Sequence, residues 1–197
     1  MVVRLRCFSV IGWWIVVALV LCGSLSASSM ELPESPEGYS WRQVKDLKAA
    51  FLVPENWQFD SEVSANQYQY TLTKSSQDSH GAGEAGLTIV VRLEAGGSER
   101  QGFVPSRFAA AMLNEIRKNR EIERMQRTTQ GPFETFRYQY VCSSESSTQL
   151  REYSLLVAND LTGTLYIFTF EAPLSTWDAD WQTVSVVLDT IFLDDEI

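Results

Sequence analysis

"GTLYIFTFEAPLSTWDADW", Gly163 to Trp181, decides how this chain folds. Its first half alternates as a β-strand does. Tyr166, Phe168 and Phe170 share one face, with Leu165, Ile167 and Thr169 opposite. Large apolar side chains on both faces predict a central strand covered on each side. Pro173 cannot donate to a ladder, so it stops the strand. Ser175 or Thr176 is placed to cap a following helix. Trp177 and Trp181 then lie one helical turn apart and can anchor that helix on the sheet. Asp178 and Asp180 fall in its first turn, where negative charge suits the helix dipole. An aromatic ligand-binding box is the competing reading of the same residues. The strand-to-helix seam accounts for more of them.

Outward from this seam the pattern is mostly β. The last helix is predicted from about Thr176 to Phe192, with Trp181, Val184, Leu188 and Ile191 on one stripe. Upstream, "FETFRYQYVCS" (Phe133–Ser143) and "LREYSLLVAN" (Leu150–Asn159) read as strands joined through the Ser-rich "SSESSTQ". "NDLTG" turns the chain into the opening strand, with Gly163 supplying a positive φ. Nearer the N-terminus, "YSWRQV" alternates aromatic and polar residues. "AAFLVPENW" is a strand ended by Pro54, turning through Glu55 and Asn56 into Trp57. In "YQYTLTK", Tyr68, Tyr70 and Leu72 face one way and Gln69, Thr71 and Thr73 the other. "LTIVVRLE" is β-branched and also a strand. Between Pro105 and Arg120 the period becomes helical, with Phe108, Ala109, Met112, Leu113 and Ile116 on one side. Pro105 suits a first turn, where its missing N–H costs nothing. "IERMQRTTQ" follows the helix without an assigned element, ahead of a turn at Gly131-Pro132. Arg117, Lys118, Arg120 and Arg124, with Glu121 and Glu123 interleaved, read as a solvated helix end, or alternatively as a partner-docking patch. Strands, one helix, strands and one helix predict an α+β fold, an antiparallel sheet sandwiched by helices.

A chain of 197 residues suits one such domain. Its N-terminus has the parts of a secretory signal: Arg4 and Arg6, the apolar run "CFSVIGWWIVVALVLCG", then "SLSASS". Residues 1–28 are therefore expected to be a signal peptide or an uncleaved membrane anchor, with acylation at Cys22 a third possibility. Residues 29–38, rich in Pro and Glu, read as a linker, and residues 39–197 as the domain. Every version exports the domain. The formal net charge is −9, and losing Arg4 and Arg6 with the leader makes the exported part more acidic still. Such a domain repels phosphate backbones and anionic lipid surfaces, so neither nucleic acid nor a membrane face is an expected partner.

Motifs that carry chemistry are scarce. His80, the only histidine, sits in "DSHGAGE" near Asp78 and Glu84, and reads as an exposed loop residue rather than a ligand or base. Gly81, Gly83 and Gly86 spell G-x-G-x-x-G, yet a strand follows where a dinucleotide site needs a helix. Asp178 with Asp180, and Asp194, Asp195 and Glu196, lack any calcium-loop spacing. Cys142 is the only cysteine beyond the leader, and its place on a strand suggests a small core residue. A hydrolase using His80 or Cys142 is the enzymatic alternative. No catalytic, cofactor or metal residues are assigned.

Three motifs together resemble the PsbP-like domains. They are "FLVPENW" before an alternating strand, "VPSRFAAAMLNEI" as a helix after the second strand block, and "GTLYIFTFEAP…W" followed by "VLDTIF". The similarity runs from about Tyr39 to Leu193. It implies an α/β/α sandwich, and a mostly non-enzymatic role in binding or helping to assemble membrane-associated protein complexes. That family includes extrinsic photosystem II subunits, their thylakoid-lumen relatives and bacterial envelope proteins of the DcrB type. The expected location is the periplasm or the outer face of the inner membrane, or the thylakoid lumen in a photosynthetic source. An extrinsic subunit of the oxygen-evolving complex is the narrower alternative. The matched residues are structural, so the resemblance transfers no site residue and no cofactor.

Overall fold

Strong alternation in β9 (Thr164–Pro173) puts it at the centre of a seven-stranded antiparallel sheet. The computed structural model describes residues 32–44, 49–64, 67–74, 85–93, 104–143 and 148–193. Contacts divide the chain into Met1–Leu32 and Pro33–Ile197, and the fold lies in the second unit. The expected leader, the loop with His80 and the acids 194–196 lie outside the described residues.

The strands run β1 (Tyr39–Val44), β2 (Ala49–Pro54), β3 (Trp57–Ser64), β4 (Gln67–Lys74) and β5 (Gly86–Leu93). Helix α1 (Pro105–Asn119) follows, then β6 (Ile122–Gln130), β7 (Phe133–Ser143), β8 (Gln149–Asn159), β9 and helix α2 (Trp177–Asp189). The large sheet has the order β3-β4-β5-β9-β8-β7-β6, and β1 with β2 forms a separate hairpin. The two faces of β9 feed two cores. Tyr166, Phe168 and Phe170 pack with Leu72, Leu87, Ile89 and α2 residues Trp177, Val184 and Val187. On the other face Leu165 packs with Phe136, Tyr138, Leu156 and α1 residues Ala109 and Leu113. One helix therefore covers each face, as the alternation in β9 requires, and the α+β sandwich read from the sequence is the fold.

Several local expectations change. The seam helix begins at Trp177 without a side-chain cap; the Thr176 hydroxyl turns back to the Pro173 carbonyl, 3.5 Å away. The helix ends at Asp189 rather than Phe192. The Thr190 hydroxyl donates to the Val186 carbonyl at 2.6 Å, and the chain then straightens. Phe192 and Ala50 exchange both backbone hydrogen bonds, at 2.9 and 3.1 Å, which ties the chain end to β2. "IERMQRTTQ" is the edge strand β6, and the chain after Trp57 is the opposite edge, β3. Gly163 does adopt a positive φ of 75°. The Asn159 side chain caps the same turn by accepting from Leu161 N at 3.0 Å.

Candidate functional site

Helix α2 packs on β9 and β2, and beyond its tryptophans the same sheet face stays open over β8, β7 and β6. This open corner is a groove of about 670 Å³. Its wall is aromatic. Trp177 and Trp181 lie nearly parallel, 10° apart with centroids at 5.5 Å. Tyr153 of β8 meets Trp181 at 4.7 Å. Phe170 backs Trp177 at 5.1 Å and holds the wall on the core. So the tryptophans form the seam expected of them, and their outer edges also line a groove. The packing is that of the strand-to-helix seam, and the groove edge is a further feature of the same two rings.

The floor is polar and basic. Strand pairing sets Arg124 opposite Gln139, and Gln139 opposite Tyr153. Arg137 lies two residues along β7, on the same face as Gln139. Arg151 is diagonal to Gln139, because its own partner is Val141. A register shift between Ile122 and Arg124 places Glu123 in a bulge. Glu123 accepts from Gln139 Nε2 at 2.9 Å and from Arg151 Nη2 at 3.3 Å. Arg151 also holds its guanidinium carbon 5.5 Å from the Trp177 ring centroid, within cation–π range. Its charge is thus already engaged. Arg124 and Arg137 are exposed and have no ion-pair partner among the described residues. Burial raises the pKa of the Tyr153 hydroxyl; the Arg137 charge opposes this and Asp189 adds to it.

The other face of the same strands carries a carboxylate pair. Glu152 and Glu171 are directly opposite on β8 and β9. Tyr140 and Ser154 both donate to Glu152, the latter at 3.1 Å. Partial burial pushes Glu171 above the ordinary carboxylate range, and its contact with Glu152 adds to this. Cys142 sits beside the pair. Burial, then the Glu152 and Glu171 charges, raise its thiol, against a smaller pull from Arg120. A raised thiol pKa works against use as a nucleophile.

The remaining sequence candidates scatter. Asp178 is exposed at the groove rim. Asp180 points inward, 3 % exposed, and pairs with Lys74 Nζ at 2.6 Å, an ion pair that the sequence did not reveal. Arg117 and Lys118 do close α1, with Lys118 bonded to Glu115 at 2.8 Å. Arg124 parts from them onto β6, so the expected basic cluster is two separate features. Among the described residues no three His, Cys, Asp or Glu side chains gather as a metal site. No described helix is long and apolar enough to cross a membrane.

No protein-family model and no curated protein matches the chain. Solved structures do. The fold is similar to that of cyanobacterial PsbP (CyanoP) from Synechocystis sp. PCC 6803, with a TM-score of 0.52 over 85% of this chain and 99% of that one. Identity is 10%, so the likeness is one of fold. Weaker matches are the yeast Ran-binding protein Mog1p from Saccharomyces cerevisiae (TM-score 0.46, 13% identity, 79% and 95% of the two chains) and PA94, of unknown function, from Pseudomonas aeruginosa (TM-score 0.40, 14% identity, 75% and 93%). The chain thus has a PsbP-like fold.

Proposed function

We propose that this is a non-catalytic, exported binding protein that docks on, and helps assemble or stabilise, a membrane-associated protein complex. The groove beside α2 carries the reading. It presents two guanidinium groups with no ion-pair partner among the described residues against an aromatic wall, and its side chains are Arg, Gln, Tyr, Trp, Met and Asp. Those groups recognise a partner; they offer no activated nucleophile next to a base. Burial and two nearby carboxylates raise the Cys142 thiol, which favours binding over a hydrolase that would use it. The PsbP-like fold and the three sequence motifs support a binding role, and the apolar leader supports export.

Affinity purification of the full chain from its native membranes tests this. A complex of defined stoichiometry, containing a membrane protein, is the expected result. Recovery of the free monomer alone, after mild detergent extraction, would overturn it.

A further inference from the structure

Building on that binding role, we infer that the groove beside α2 takes an acidic segment of a partner protein, with carboxylates against Arg124 and Arg137 and an apolar or aromatic side chain against Trp181 and Tyr153. Charge is the first argument. The chain carries a formal net charge of −9, with 16 basic residues against 25 acidic ones, yet three arginines from three adjacent strands meet on one sheet face. Of the three, only Arg151 has an ion-pair partner among the described residues, Glu123. Two guanidinium groups with no ion-pair partner among the described residues, diagonal across adjacent strands at roughly 7–8 Å, match carboxylates carried on one short segment.

Shape is the second argument. The wall is apolar and the floor basic, so the occupant must present both characters side by side. Arg124, Gln126, Arg137 and Asp178 are exposed, so the groove is open rather than closed over a small molecule. A small ligand is held in a site that buries most of its surface. An extended segment needs only one side buried. The acidic remainder of the molecule repels a lipid headgroup layer or a phosphate chain, whereas a short peptide feels mainly the local field of the groove. Edge strand β6 guards its outer rim with the bulge at Glu123 and with charged side chains, which favours side-chain recognition over addition of an eighth strand.

The test uses the whole folded chain and the hexapeptide acetyl-Glu-Glu-Phe-Glu-Leu-Glu-amide, followed by NMR of the indole N–H signals. The peptide should shift the Trp177 and Trp181 signals, assigned through single Trp→Phe variants. The same peptide with Lys for Glu should not shift them. The double variant Arg124→Gln/Arg137→Gln should bind at least about tenfold more weakly with an unchanged Tm, because both side chains are exposed and have no ion-pair partner among the described residues. Affinity should also fall with added salt. Absence of a shift at millimolar peptide would overturn the inference. So would tighter binding of phosphatidylglycerol vesicles or of a single-stranded oligonucleotide, or equal binding by the double variant. If purification still recovers a complex in any of those cases, the binding function stands and only this site is wrong.

Discussion

Lys74 and Asp180 form an unequal pair. The Asp180 side chain is 3 % exposed and the Lys74 side chain 48 %. Removing the lysine strands a buried carboxylate, whereas removing the aspartate frees an ammonium that can turn to water. Loss of one partner of a fully buried pair costs ~3–5 kcal/mol, and water reaching Lys74's side reduces this. Lys74→Ala should therefore destabilise by about 2 kcal/mol and Asp180→Ala by about half as much or less. Urea denaturation of both variants decides it; equal losses would mean that burial does not govern the pair. Glu171 makes a pH prediction. Its folded pKa lies above the ordinary value of 4.5, so the folded state binds its proton more tightly than the unfolded chain does. Its stabilising contribution is complete below pH 4.5 and is lost as pH rises through the raised folded value. Glu171→Gln should then stabilise at pH 7.5, by only about 0.3 kcal/mol because the carboxyl reaches solvent, and the gain should vanish near pH 4. A gain of equal size at both pH values would refute the assignment. At this scale the sequence was partly legible. Asp180 was correctly placed in a first helical turn, but its inward aim depends on Lys74, which lies on another element.

The seam between β9 and α2 is the element on which the fold turns. Phe170 is fully buried and touches both tryptophans, at 5.1 and 6.1 Å. Truncation to alanine removes the ring under the helix and leaves a cavity against Leu72 and Leu87. Phe170→Ala should cost about 3–5 kcal/mol, the range for a large aromatic deleted from a core. It should also shift tryptophan fluorescence to the red while the chain is still folded. A cost under ~1 kcal/mol would mean that α2 is held by its other contacts. Legibility among the elements follows burial. β4, β5, β7, β8, β9 and α1 each bury a face, so each carries a period that the sequence shows. β3 and β6 are the two sheet edges, and most of their side chains are exposed on both faces. Their strand character comes from pairing with β4 and β7, which no local period records. The end of α2 was overrun for the same reason. Ile191 and Phe192 continue the apolar stripe, but the backbone of Phe192 finds its partners on β2.

At the scale of the whole molecule, the two covers of the sheet are offset. Helix α1 sits over β7, β8 and β9, whereas α2 and the β1–β2 hairpin sit over β4, β5 and β9 on the opposite face. Among the described residues, each face therefore has one corner that neither helix covers. On the α1 side the open corner carries Asp60 and Glu62 of β3; on the α2 side it is the arginine groove. This explains why the groove escaped the sequence. Its arginines are 13 and 14 positions apart in the chain, at 124, 137 and 151, and meet only through strand pairing. The α2-side cover also depends on a closure between distant parts of the chain. Ala50 pairs with Phe192, whose ring meets Trp41 edge-on at 5.5 Å, and the Tyr39 hydroxyl donates to the Thr183 carbonyl at 3.2 Å. Removing residues 192–197 would delete the acceptor for the Ala50 amide and the ring against Trp41, while leaving β7, β8 and β9 paired. Amides opened by a local event exchange at a lower free energy than those that need global unfolding. Hydrogen exchange on the truncated chain should therefore show protection at Ala50 falling at least about tenfold more than at Leu156, a local difference of about 1.4 kcal/mol. Equal losses at the two positions would mean that hairpin and sheet open as one unit, and that the end of the chain closes the entire fold rather than one of its covers.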